Sequence, residues 1–330
     1  MLTFVSRRLV YAAITLLIVS MAVYAIFAIL PFDPAALTCG QHCTALVIRA
    51  NRIKLGFDKP LWEQYWMFLH GVFAGRTYGV GSAAFHCPAP AFGYSFNDNM
   101  CVTELLQQKL PITLSVAIGA LILWLIVGVG LGILAARFKG RWPDTASSVF
   151  VLFGTSLPVF VTGLFLLIWV SIKWKIIPIS FLGYVSVFSD PIGFVKLFIL
   201  PWITLAFAFA ALYTRFTRAS ILETLGEDYI RTARAKGLSE KKVLRIHTFR
   251  AALAPIVTLA SLDFAGLIGG AILTETIFNL PGIGQWTLRS VYEFNLPVVV
   301  CTTILAAGVV IIMNLIVDML YAVLDPRVRI

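Results

Sequence analysis

Charge is scarce in this chain. Of its 330 residues 13% are charged and 59% hydrophobic, about half the charged share of an ordinary soluble domain. Acidic residues are the scarcer sign, 16 against 26 basic ones. Histidine occurs only at His42, His70, His86 and His247, all outside the long apolar runs. A Ser–His dyad within a membrane is therefore not expected, although Ser156 sits beside a helix-breaking Pro158. No other catalytic pair for a membrane-embedded enzyme or protease falls within those runs. A G-x-x-x-x-G-K-[ST] phosphate loop is missing, so ATP binding by this chain is not expected. Missing too is an inverted repeat of broken helices, the mark of many secondary transporters. The net charge of +10 comes without a basic groove interleaved with aromatics, which argues against nucleic acid as a partner. No metal site is expected.

What the chain has instead is apolar length. Runs able to cross a hydrocarbon layer of roughly 30 Å recur, near Leu9–Leu30, Pro111–Ala136, Ser147–Ile172, Leu197–Tyr213, Ala251–Phe278 and Val298–Tyr321. They predict an all-α polytopic membrane protein of six transmembrane helices. Lys and Arg near span ends favour the cytoplasmic side. Placing both termini there puts sixteen of the 26 basic residues inside. The first span follows Arg7 and Arg8 and is longer than a secretory core. Pro31-Phe32-Asp33-Pro34, rather than a small-x-small cleavage pattern, comes after it, so it reads as an uncleaved anchor. The expected organisation is 1–30, an extracytoplasmic segment over 31–109, and a five-helix core over 110–330 carrying a cytoplasmic loop over 214–250.

Four of the five cysteines, Cys39, Cys43, Cys87 and Cys101, fall in the extracytoplasmic segment. An even number on the oxidising side predicts two disulfides with three possible connectivities. Local closure favours Cys39–Cys43 and Cys87–Cys101. The alternative is a metal site, since His42 and His86 adjoin cysteines. Cys301, in the last span, reads as a small buried apolar residue. Two short amphipathic helices are expected at Ala45–Leu55, ending at Gly56, and at Trp62–Leu69, ending at Gly71. Between Arg76 and Phe92 lies a stretch rich in Gly, Ala and Pro.

A basic, non-apolar run wedged between two long hydrophobic spans reads DYIRTARAKGLSEKKVLRIHTFRAALAP, Asp228 to Pro255. Asp228 is a fair N-cap, Tyr229 to Lys236 are mostly good helix formers, and Gly237 suits the position after a helix end. Ser239 can cap a second helix with Glu240 at its positive end. Ala233 and Gly237, four residues apart, predict a bare spot open to close approach. The alternative is a solvated basic loop lying near anionic lipid headgroups.

The run DYIRTARAKGLS resembles the coupling loop of permeases of binding-protein-dependent ABC importers, in the dipeptide/oligopeptide/nickel group and of its first, B-type permease. The wider superfamily's Glu-Ala-Ala, three residues, Gly pattern falls on Arg231, Thr232, Ala233 and Gly237, of which only Ala233 and Gly237 agree. The stretches LGFDKPLWEQYWMFL, GYSFNDNMCVTELLQQKLPITL, GGAILTETIFNLPGIG and NLIVDMLYAVLDPRVRI resemble the same group, with Phe32 and Asn295 as departures. The resemblance covers nearly the whole chain except the stretch from Arg76 to Phe92.

This resemblance implies the type I ABC importer permease fold and import of di- or oligopeptides across the cytoplasmic membrane of a prokaryote. It implies a second homologous permease, two cytoplasmic ATPases holding ATP and Mg, and an external substrate-binding protein. Asp228, Tyr229, Arg231, Thr232, Ala233, Arg234, Ala235, Lys236 and Gly237 would then meet an ATPase. Asp263, placed near mid-depth, and Glu275 are candidates for the translocation pathway. Asp263 can contact a peptide's ammonium end, or serve as a hydrogen-bond partner for Ser261, Thr258 or a neighbouring helix. An ATPase-independent secondary transporter using Asp263 as a proton or ion relay is the rival function. Gly128 and Gly132 read as a helix-packing face.

Overall fold

The computed structural model describes residues 2–29, 44–56, 58–78, 84–95, 97–177 and 184–324. Among the described residues five helices are long and apolar enough to cross a membrane, and the bent pair Trp142–Ser156 and Val159–Lys173 brings the number to six when counted as one span. In chain order the helices are α1 (Leu2–Ile29), α2 (Ala45–Leu55), α3 (Leu61–Ala74), α4 (Val102–Arg137), α5 (Trp142–Ser156), α6 (Val159–Lys173), α7 (Pro191–Leu225), α8 (Asp228–Ala235), α9 (Glu240–Gly269), α10 (Ile272–Ile277), α11 (Ile283–Tyr292) and α12 (Leu296–Leu324). Four short strands, β1 (Arg76–Tyr78), β2 (Phe85–Cys87), β3 (Tyr94–Ser95) and β4 (Met100–Cys101), pair as two antiparallel hairpins. The candidate spans are all helical, as expected for the class, and among the described residues the strands lie between α3 and α4.

Several boundaries differ from the hydropathy reading for local reasons. The third expected run is two helices meeting at 96°. Pro158 has no N–H to continue the ladder and holds Leu157 extended at φ −92°, ψ 120°. The fourth span is 35 residues rather than Leu197–Tyr213. Pro191 opens it, the Asp190 carboxylate accepts from Gly193 N at 2.9 Å, and Thr214 donates back to Ala210 O at 2.7 Å. The fifth expected run divides at Ala271 (φ −73°, ψ 50°), and α10 is a separate turn. Helix α2 ends at Gly56 as expected, but α3 runs through Gly71 to Ala74 and ends at Gly75. Gly71 is buried, and its carbonyl accepts from both Gly75 N and Ala91 N.

By contact the chain forms two compact units, residues 1–113 with 281–311, and residues 114–280 with 312–330. The expected 110–330 core thus contributes to both.

In the first unit a disulfide joins Cys87 to Cys101, with Cα atoms 5.8 Å apart, and ties β2 to β4. Around it Tyr78 and Ala91 are buried, with Phe85 and Tyr94 packed alongside. Burial pushes the Tyr78 phenol above its ordinary range, against the lowering effect of Arg76. His86 Nδ1 lies 3.1 Å from Thr77 Oγ1. With the Cys87 sulfur bonded to Cys101, this half of the metal alternative falls; Cys39, His42 and Cys43 lie outside the described residues. Cys301 is buried with Val102, Leu105, Trp286 and Val298. Asn295, the departure at the start of α12, is buried; its amide donates to Ser95 Oγ at 2.6 Å, and Ser95 donates to Asp98 at 2.8 Å. A carboxylate at 295 would compete with Asp98 for the single hydroxyl proton of Ser95.

In the second unit α7 is the central helix. Gly119, Gly128 and Gly132 of α4, Gly154 of α5 and Gly163 of α6 all face it. An added Cβ at these positions would meet Trp202, Tyr213, Thr217, Ala211 and Thr204 respectively. Close backbone approach through small residues is how helices pack where no hydrophobic force separates protein from lipid. The Gly128/Gly132 face extends to three helices.

Candidate functional site

The polar run between α7 and α9 is a short helix built on its own small core. Ile230 and Ala233 of α8 are buried with Val243, and Leu225 and Leu238 pack against them. Ile230 and Ala233 lie three residues apart, so one face of α8 turns inward. The other positions, Asp228, Tyr229, Arg231, Thr232, Arg234, Ala235, Lys236 and Gly237, are exposed. Ala233 therefore does not form an outward bare spot with Gly237. It packs inward, while an added Cβ at Gly237 would meet nothing within 4 Å.

The helix end follows from one residue. Gly237 has φ +77°, Leu238 N bonds to Ala233 O at 3.4 Å, and Gly237 N bonds to Arg234 O at 2.9 Å. This pair of bonds, with Leu238 returning to the apolar core, is a Schellman motif. At the other end Glu227, not Asp228, is the N-cap residue, and its side chain makes no capping bond. Asp228 is the first helical residue; its carbonyl accepts from Thr232 Oγ1 at 3.0 Å. Ser239 has N-cap backbone geometry without a side-chain cap. Glu240 pairs instead with Arg234 at 2.8 Å, an exposed contact worth about 0–1 kcal/mol. Apolar packing and the glycine end, more than charge, hold the element. Partial burial and the Glu227 carboxylate raise the Tyr229 phenol above its ordinary value.

The inner face of α8 continues into the ends of three spanning helices. Leu225, the last residue of α7, packs on the α8 core and also on a cluster of Ala136, Ile221 and Ala252 from α4, α7 and α9. Val243 belongs to the first cluster and its neighbour Leu244 to the second. Packed side chains therefore connect α8 with the ends of all three helices. Seven residues up α7 from Leu225, Arg218 clasps Asp144 of α5 with Nε–Oδ1 at 2.7 Å and Nη2–Oδ2 at 2.9 Å. Gly140 N adds a bond to the same carboxylate at 2.9 Å. Sequence reading missed this clasp, because two residues 74 positions apart carry no spacing signal. It also missed Leu225, Ile230 and Val243, although the Ile230/Ala233 spacing within a polar run was a legible cue.

Of the two pathway candidates, Asp263 is half-buried and accepts a hydrogen bond from the Tyr213 hydroxyl at 2.6 Å. Its partner is thus on a neighbouring helix; Ser261 and Thr258 instead donate to Val257 O and Ala254 O. Glu275 is fully buried in α10. Its N–H bonds to Ala271 O and its carbonyl accepts from Leu280 N, both at 2.8 Å, so its backbone shapes the turn into Pro281-Gly282.

Comparison with known proteins supplies the family. A profile described as the inner membrane component of binding-protein-dependent transport systems matches residues 128–330, and its N-terminal companion matches 1–117. The glutathione transport system permease GsiC of Escherichia coli is 36% identical over 337 residues, covering 100% of this chain and 99% of that protein. A probable peptide ABC transporter permease of Sinorhizobium fredii is 34% identical over 326 residues, covering 99% of each. The dipeptide transport system permease DppB of Escherichia coli is 35% identical over 353 residues, covering 100% of this chain and 99% of that protein. The chain belongs to the binding-protein-dependent transport system inner membrane components: it is a permease subunit of an ABC importer, a multi-pass protein of the bacterial cytoplasmic membrane that works with ATPase and substrate-binding partners.

Proposed function

We propose that this permease imports peptides, pairing with a second homologous permease, two cytoplasmic ATPases that hold ATP and Mg, and an external binding protein that delivers cargo. Both termini lie in the cytoplasm, and so does α8. The observation that carries the coupling role is the double packing of Leu225. It joins a helix with an exposed polar face to the ends of α4, α7 and α9. ATPase closure moves α8 as a rigid element, and the packed cluster passes that movement to the spans. Closure favours the outward-facing state only through contacts that differ between the two states; the exposed residues from Asp228 to Gly237 make them. Peptide cargo is supported by the glutathione, peptide and dipeptide permeases that the chain resembles along its whole length. Asp263 meets the cargo's ammonium end, held in place by Tyr213, and Glu275 shapes the same path.

The experiment is reconstitution of the permease pair with and without the ATPases. Import should require them and ATP, and a cysteine at exposed Tyr229 should cross-link to an ATPase. Import without ATPases would instead support the secondary-transporter reading. Failure of every site from Asp228 to Gly237 to cross-link would remove α8 as the contact.

A further inference from the structure

Helix α3 presents faces of different chemistry. Gln64, Phe68 and Gly71 are buried. Beside them Tyr65 reaches α1, its hydroxyl 2.9 Å from Ser20 Oγ and 3.3 Å from Leu17 O. The Tyr24 ring stands 5.8 Å from Tyr65 and 6.1 Å from Phe68. On the other side Trp62, Trp66 and Phe73 are 73%, 65% and 83% exposed. Together with Leu69 they occupy about 60° of arc at 3.6 residues per turn. Lys59, Glu63 and His70 flank that stripe on one side, and Lys59 pairs with Glu63 at 2.6 Å.

The contact with α1 fixes the depth. The first span runs from Ser6 to Ile26, so Ser20 lies about 9 Å inside its end at 1.5 Å per residue. The Tyr65 hydroxyl is at that level, while its ring lies beside Tyr24, two residues from the end of the span. Interfacial helices bury their apolar face about 5–10 Å into the boundary between headgroups and acyl chains. Trp is the residue type enriched there, with an apolar body and one polar N–H.

We propose that α3 is an interfacial helix. Trp62, Trp66, Leu69 and Phe73 lie in the lipid boundary of the leaflet where α1 ends, and Lys59, Glu63 and His70 turn to headgroups and water. Lipid is the occupant because the stripe adjoins a span that itself exposes Leu17, Ile18, Met21 and Ile26. The polar flank also gives the helix a wet side, as a helix lying along the interface requires. The proposal rests on the membrane spans and not on the coupling role of α8.

The test uses the intact transporter in nanodiscs of phosphatidylethanolamine and phosphatidylglycerol, with one nitroxide-labelled cysteine at Trp66, Phe73 or His70. Oxygen should relax the labels at 66 and 73 several-fold more than a water-soluble nickel chelate does, and the ratio should invert at 70. Low accessibility to both reagents at 66 and 73 would show a protein covering the stripe and overturn the proposal. Preference for the chelate at 66 and 73 would place the stripe in water and overturn it equally. Should a labelled variant fail to assemble, unlabelled protein answers the same question. Lipids brominated near the headgroup should quench tryptophan emission in the parent, and W62F/W66F should lose that quenched component. Equal quenching in parent and double variant would refute the placement.

Discussion

The end of α8 offers a perturbation whose size can be worked from the backbone. Gly237 sits at φ +77°, and an added Cβ would meet nothing in this chain within 4 Å. Substitution there costs conformation and causes no collision. A residue with a Cβ pays about 1–2 kcal/mol in the left-handed region, and Asn pays less because its short polar side chain tolerates that region. For Gly237→Val, the most costly of the series, this lowers the capped population roughly 5- to 30-fold. The bond from Leu238 N to Ala233 O then opens more often. Hydrogen exchange at Leu238, measured in the purified transporter, should accelerate in the order Asn, Ala, Val. Cargo-stimulated ATP hydrolysis should fall in the same order. The Asn variant separates two causes. Normal exchange with lost coupling would mean that the added side chain meets the ATPase, whereas losing neither assigns the effect to backbone geometry. If Gly237→Val exchanges and couples like the parent, the cap argument is wrong.

Ala233→Asp buries a carboxylate in the α8 core and should cost several kcal/mol, seen as lost exchange protection across 228–243 together with lost coupling; a protected helix in the variant would contradict the inward packing. Non-reducing mass spectrometry should find Cys39, Cys43, Cys87 and Cys101 blocked and Cys301 free. Cys101→Ser should destabilise the first unit by about 3 kcal/mol and weaken capture of the binding protein while ATPase docking stays intact; free thiols at 87 and 101 in the parent would defeat this. Asp263→Asn keeps an acceptor for Tyr213 and should cost about 1 kcal/mol, against about 1–3 for Asp263→Ala, by thermal melting. Import of cargo with a free amino terminus should drop more in the Asn variant than import of amine-blocked cargo, and an equal drop would take Asp263 out of the pathway. Asn295→Asp should cost about 1–3 kcal/mol, because the buried amide that donates to Ser95 is lost; an unchanged melting temperature would show that the relay through Ser95 and Asp98 carries no stability.

What the sequence determined by itself was whatever local chemistry dictates. Apolar length sets the spans, because each must satisfy its backbone internally over the depth of the membrane. Gly56 and Gly237 mark helix ends because they tolerate positive φ, and Gly128 and Gly132 mark a packing face because they have no side chain. The pairing of Cys87 with Cys101 was readable because their separation is only 14 residues. Tertiary structure decided whatever depends on distant partners. Whether Ala233 faces a partner or a core depends on Val243 and Leu225. That α7 receives glycines from three helices, and that Arg218 closes on Asp144, follows from how helices far apart in the chain come to lie side by side. Asn295 reads as a departure in sequence and as a necessity beside Ser95 and Asp98, since a hydroxyl with one proton can serve only one carboxylate.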